Sequence, residues 1–156
     1  MIINLNFKFM KKTLTPVIVF ICLMFGTSLV AQNFMGMWKS IDDETGKAKS
    51  YVKIYKATNG KYYGQVMKLL ADKDTVTCFK CTDYRKNKPV IGMNVITGMS
   101  LDGNGGLEGG TICDPKNGKI YKCKIKVVDG KLDVRGYIGF SLIGRTQTWL
   151  PVKDEK

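Results

Sequence analysis

Four cysteines in the body of this chain are the side chains best equipped for chemistry. They begin as a Cys-x-x-Cys pair, Cys78-Phe79-Lys80-Cys81, and continue with Cys113 and Cys123. Three chemistries use that spacing. In an oxidising compartment four cysteines most simply form disulfides. A tetrahedral zinc site also accepts a Cys-x-x-Cys knuckle. A redox pair needs a depressed thiol pKa, usually from a helix N-terminus, and the flanking Thr77 and Thr82 carry no helix signal. Disulfides lead, zinc and redox stay open behind them, and no metal site or cofactor is assigned. Four cysteines allow three pairings. A two-residue turn at Asn117-Gly118 would set Cys113 opposite Lys122 and turn Cys123 to the other sheet face. That disfavours a Cys113–Cys123 bond, since bridged residues need converging Cβ vectors; a bulged turn would change the register and weaken the argument. A local Cys78–Cys81 bond is the first choice and a bond from the loop to Cys123 the second.

Other catalytic chemistry is poorly supplied. The chain has no histidine, which removes the commonest general base, metal ligand and partner for a nucleophile. Ser141 has no base in sequence reach, and the Asp and Glu residues form no evident acid/base pair for glycoside hydrolysis. Asp102-Gly103-Asn104-Gly105-Gly106 has the composition of a calcium loop but lacks its terminal Glu, so it reads as a turn. The chain is therefore read as a binding protein and not as an enzyme. Tyr63, Gln65, Tyr137 and Gln147 are candidates to orient a mostly apolar ligand. Met93, alternating with Ile91, Val95 and Met99, offers adaptable lining. Arg85 could hold a carboxylate or phosphate in a bidentate pair, against the alternative of an ion pair with Asp83.

These residues need a frame, and the turn signals supply it. Asp42 to Gly46, Thr58-Asn59-Gly60, Asp102 to Gly106, Asp114 to Gly118 and Asp129-Gly130 have the residues that tight hairpins demand. Strands are expected at about 36–41, 49–57, 61–69, 91–99, 107–113, 119–128, 131–138 and 144–152. Eight antiparallel strands joined by hairpins predict an all-β, up-and-down barrel, which leaves no open edge. Lys122, Lys124 and Lys126 alternate with Tyr121, Cys123, Ile125 and Val127, so the lysines point outward. Leu132 and Val134 point inward by the same rule. In the second strand Tyr51 and Tyr55 share a side with Lys53, which leaves that face undecided. The connection from Ala71 to Pro89 is long and charged, a candidate lid or portal. Gly36 and Trp38 open the first strand and Arg145 lies in the last. The expectation is that Trp38 plugs one end and Arg145 lies across its indole, a stack worth about 2 kcal/mol when shielded from water. The sealed cylinder is made to rest on that pair.

Residues 1–31 read as a secretory signal peptide: Lys8, Lys11 and Lys12, then an apolar run from Leu14 to Phe25, then the small residues Gly26-Thr27-Ser28 and Ala31, with a cut after Ser28 as the alternative to one after Ala31. The run is short for a membrane span, so the processed chain, residues 32–156, is expected to be one domain in the periplasm or secreted, and not an integral membrane protein. The formal charge of +12 falls to +9 once the three leader lysines are removed. Such a surface favours solubility or attraction to an anionic envelope component. Nucleic acid is not expected, since no reading motif is present.

Several stretches carry a family likeness: Gly36-Met37-Trp38-Lys39, Arg85 to Met93, Asp114 to Cys123, and Val134 to Trp149 with its Gly-Arg-Thr-Gln-Thr-Trp run. The chain resembles the lipocalin-like, or calycin, barrels, and more closely a family of exported bacterial proteins, domain-of-unknown-function family 2147. The resemblance implies an exported lipocalin-like barrel and no particular reaction. Two readings follow. In the first, the barrel binds a small apolar or amphipathic molecule without chemical change. In the second, the barrel is filled, and its basic exterior binds an anionic polymer or a protein.

Overall fold

The computed structural model describes residues 33–70 and 76–152. The expected leader, and the first part of the 71–89 connection, lie outside the described residues. Eight strands follow one another: β1 (Gly36–Ile41), β2 (Ala48–Lys56), β3 (Tyr62–Leu69), β4 (Asn94–Leu101), β5 (Leu107–Asp114), β6 (Lys119–Val128), β7 (Lys131–Tyr137) and β8 (Gly144–Pro151). Each pairs antiparallel with the next, and β8 returns to β1, so the sheet is a closed barrel. No helix among the described residues is long and apolar enough to cross a membrane.

The hairpins form where turn chemistry placed them. Gly46, Gly60, Gly118 and Gly130 all have positive φ, as does Asp129. β4 begins three residues later than expected, because Pro89 to Met93 is spent on a turn. The Val66 N–H donates to the Met93 carbonyl, and the Gly92 N–H to that of Val66. The register also slips between Gly64 and Gln65, which pair with Ile96 and Asn94. Val95 is left without a partner, and both it and Ile96 are buried.

The barrel has two unlike ends. At one, where β1 starts and β8 finishes, Phe34, Trp38, Ile54, Tyr62, Met99, Leu107, Ile125 and Leu132 are buried together. The Trp38 indole N–H donates to the Phe34 carbonyl at 2.9 Å, and the Phe34 ring meets Tyr62 edge-on, centroids 5.1 Å apart. Gly64 faces into this packing. A Cβ there would stand 3.0 Å from the side chains of Ile54 and Ile96, so glycine makes room for larger neighbours across the barrel.

The other end carries the connections β1–β2, β3–β4, β5–β6 and β7–β8, and there the interior is not filled. β6 keeps Cys123 and Ile125 buried and Lys122 and Lys126 exposed, as the alternation predicts. In β2 the buried residues are Ser50, Val52 and Ile54. Tyr51, Lys53 and Tyr55 therefore lie on the outer face.

Candidate functional site: a hollow barrel mouth

The open end holds a cavity of about 820 Å³, within the usual range for small-molecule sites. Its deep wall is apolar, made by Val52, Val66, Val95, Ile112, Val134 and Trp149. Gly136 lies in the same wall, where a Cβ would come 3.3 Å from Ile112 Cγ2. The Ser and Gln groups of the wall are already satisfied. The Ser40 and Ser50 hydroxyls share a 2.7 Å hydrogen bond, and the Ser50 N–H donates to Ser40 Oγ at 3.1 Å. Gln147 Oε1 accepts from the Trp149 indole N–H at 3.2 Å.

Charge is confined to the rim. Lys47, Lys49, Lys116 and Arg145 border the mouth together with Asp42 and Asp114. Arg145 is held from the β1–β2 turn: its guanidinium pairs with the Asp43 carboxylate and reaches Glu44 at 3.0 Å. That guanidinium holds the Asp43 carboxyl below its ordinary range, and Asp43 in return raises Arg145. Gln147 Nε2 donates to the same Asp43 carboxylate at 3.3 Å. A polar chain thus runs from the rim through Arg145, Asp43 and Gln147 down to Trp149. Lys49 lies 3.6 Å from Asp42.

The expected Trp38–Arg145 stack is not formed. Trp38 pairs with Pro151 at the packed end, while Arg145 pairs with Gly136 at the mouth. Arg145 lies six positions before Pro151 on β8, roughly 20 Å of strand. The β1–β8 ladder closes the barrel without a cationic cap. Gly36 and Trp38 belong to that ladder end; Arg145 belongs to the rim.

Of the expected ligand residues, Tyr137 and Gln147 line the cavity and the rest do not. Tyr63 faces outward, accepting from Asn59 Nδ2 at 2.9 Å and stacking on Tyr55. Gln65 shares that outer face and donates to the Gly92 carbonyl at 2.8 Å. Both follow the parity of Lys53, their side of the sheet being the outer one. Met93 is buried in core packing instead of the cavity wall. Arg85 is only 3% exposed. Its Nε donates to both Asp83 oxygens, at 3.2 and 3.0 Å, its Nη2 to Asp83 Oδ2 at 2.7 Å and its Nη1 to the Asn94 carbonyl at 3.0 Å, so it has no reach to a ligand. The described part of the β3–β4 connection does border the mouth, through Val76 and Val90. Trp149, Tyr121, Ser40 and Ser50 are wall residues the sequence reading missed; the parity of Ser50 with Val52 and Ile54 was the available signal.

Cys78 and Cys81 are bonded. Cys113 and Cys123 are free and buried, so neither joins a disulfide, and the bond from the loop to Cys123 is not made. Cys113 Sγ lies 3.7 Å from Cys81 Sγ, beneath the loop. Cys113 pairs with Ile120 and Cys123 with Gly110. The hairpin register differs by two residues from a two-residue turn, and a shift of two preserves the face. The cysteines therefore do lie on opposite faces. Among the described residues no group of three or more His, Cys, Asp or Glu converges as a metal site.

Comparison with known proteins agrees with this architecture. The sequence model of a family described as an uncharacterised protein conserved in bacteria, DUF2147, matches residues 36–150. Among solved structures, the barrel is similar to protein HP1028 from the human pathogen Helicobacter pylori, described as belonging to the lipocalin family. The TM-score is 0.70 at 18% identity, over 80% of this chain and 86% of that one. No curated protein matches.

Proposed function

We propose that this chain, which belongs to the uncharacterised bacterial family DUF2147, binds a small amphipathic molecule in the open end of its barrel and releases it unchanged. The supporting observation is the gradient in the cavity: an apolar deep wall, internally satisfied Ser and Gln groups, and a rim where Lys47 and Lys116 make no ion pair among the described residues. An apolar tail gains by leaving water for the Val52–Val134–Trp149 wall, while an acidic head stays among Lys47, Lys49 and Lys116 at the wet rim. The lining acids Asp42 and Asp114 accept hydrogen bonds from their own turns, and the reading includes no chemical step. Its setting is the periplasm or the exterior, after removal of residues 1–31. The other reading, a filled barrel acting only through its exterior, is disfavoured by the hollow mouth and by a broken basic stripe: Lys124 pairs with Glu108 at 3.1 Å, and Lys126 stands opposite Asp133.

Palmitate is a suitable probe, with palmitoyl methyl ester and hexadecylamine as head-group controls, read by Trp149 fluorescence and native mass spectrometry. Palmitate is expected to bind best, the amine worst. Gly136→Leu, which projects into the cavity, should abolish binding without unfolding the barrel. Tyr63→Ala and Gln65→Ala, on the outer face, should bind as wild type. Palmitate binding that survives Gly136→Leu would refute the cavity site.

A further inference from the structure

The connection from β7 to β8 carries an apolar surface that the fold leaves uncovered. Ile138 is 64% exposed, Phe140 80%, Leu142 90% and Ile143 69%. Four large apolar side chains within six residues are not scattered singles of the ordinary kind. They project from a braced turn. The Ile138 N–H donates to the Ile143 carbonyl and the Ile143 N–H to that of Phe140. Arg135 reaches up from β7 and donates to the Ser141 carbonyl at 2.8 Å, to the Leu142 carbonyl at 3.2 Å and to Thr146 Oγ1 at 2.9 Å.

We infer that this tip inserts into the surface of an anionic lipid bilayer and seats the barrel mouth upon it. Three observations favour lipid over a protein or a second copy. First, the carbonyls of Phe140, Ser141, Leu142 and Ile143 are satisfied from within. A carbonyl moved out of water without a partner is costly, and Arg135 removes that cost at the two carbonyls beside the most exposed side chain. Second, the tip is flanked by positive charge. Lys80 and Lys119 border the same depression as Ile138, and Lys116 borders the mouth with Ile138 and Ile143. None of these three lysines is ion-paired among the described residues, whereas the rim acids Asp43 and Glu44 are already engaged by Arg145. An apolar tip ringed by unpaired lysines matches the two forces that hold a protein at an anionic membrane interface. Third, Ile138 and Ile143 belong to the tip and to the cavity mouth at once. A seated barrel would give an apolar tail a continuous path from the bilayer to the Val134 wall.

Vesicles test this without any ligand, so a negative result leaves the cavity reading untouched, and an empty cavity leaves the docking surface untouched. The processed chain, residues 32–156, is mixed with vesicles of phosphatidylcholine alone or of phosphatidylcholine and phosphatidylglycerol in equal parts. Phe140→Trp places a reporter at the tip against the buried Trp38 and Trp149. Its emission should shift to the blue with the anionic vesicles, shift less with phosphatidylcholine, and revert in high salt. In sedimentation, Phe140→Ser with Leu142→Ser should weaken vesicle partition at least roughly a hundredfold with an unchanged melting temperature. A tip reporter that does not move with anionic vesicles overturns the inference. So does a blue shift that grows with protein concentration in the absence of lipid, which would assign the tip to a second copy of the chain.

Discussion

Trp38 and Arg145 can be separated energetically because the fold separates them in space. Trp38 is 5% exposed and its indole donates to the Phe34 carbonyl. Truncation to alanine removes a large buried ring, leaves a cavity and orphans that carbonyl, a loss of about 3–5 kcal/mol. For a barrel of this size that corresponds to a fall of roughly 10–20 °C in melting temperature. Arg145 has a side chain half exposed, paired with Asp43 and Glu44 at the rim. Solvent screens such pairs, so Arg145→Ala should cost about 1 kcal/mol or less. The double variant distinguishes the two architectures. Sites more than about 10 Å apart with no shared partner add to within ~0.5 kcal/mol, and the two side chains share none. An indole–guanidinium stack would instead show a coupling of about 2 kcal/mol. Urea unfolding of wild type, both single variants and the double variant measures that coupling. A value near 2 kcal/mol, or an Arg145→Ala variant as unstable as Trp38→Ala, would refute closure by the β1–β8 ladder alone.

Acid should loosen the mouth first. The Thr45 backbone N–H, with further hydrogen bonds from Thr45 and Glu44 and the charge of Lys49, brings the Asp42 carboxyl down from 3.8 to about 2, and Arg145 depresses Asp43. A carboxyl whose pKa is lower folded than unfolded adds stability above its unfolded value and loses it as pH falls through the folded one. Urea midpoints should therefore decline between pH 4 and pH 2, and Asp42→Asn should flatten that decline; a slope unaltered by the substitution would reject the assignment. The two free thiols should be silent in the native state. Burial pushes Cys123 up to about 12 and raises Cys113, so iodoacetamide at neutral pH should label neither until urea is added. Rapid native labelling of Cys113 would show that the loop over it opens readily.

How far the sequence carried depends on what each residue's position required. Strand positions came from turn chemistry and period two, which are local, and seven of the eight strands begin and end within one residue of expectation. Faces came out right wherever lysines alternate with aliphatics, as in β6. They stayed open in β2, where tyrosines share the lysine side, and so Tyr63 and Gln65 on β3 were assigned to a cavity they face away from. The Trp38–Arg145 pairing failed for a geometric reason. An antiparallel return brings the last residues of β8 beside the first of β1, so Trp38 meets Pro151 and the start of β8 lies at the far end. Arg85 failed because an intraloop acid two residues away satisfies it more cheaply than a ligand would. The strand ends at 138 and 144 place most of the Ile138–Ile143 tip in a connection, but apolar residues in a connection do not themselves say whether the fold covers them; these are uncovered because the hairpin overruns the barrel's edge.

The division of the barrel into a packed end and a hollow end follows from side-chain size along the inward positions. At the packed end these are Trp38, Ile54, Tyr62, Met99, Leu107, Ile125 and Leu132. Toward the mouth the same strands offer Ser40, Ser50, Val52, Val66, Val134 and Gly136. An eight-stranded barrel is just wide enough for large side chains to fill, so a run of small ones on β1, β2, β3 and β7 leaves space by construction. Smallness at those positions carries a cost, because each missing methylene forgoes burial and leaves void. A barrel selected only for stability would have carried its Leu and Ile residues through to the mouth. Ser40 and Ser50 are the sharpest instance: two inward hydroxyls that satisfy each other hold the wall open beside the rim where two valines would pack. The space is thus a property the chain maintains against its own stability, and Gly136→Leu should raise the melting temperature as it fills the cavity.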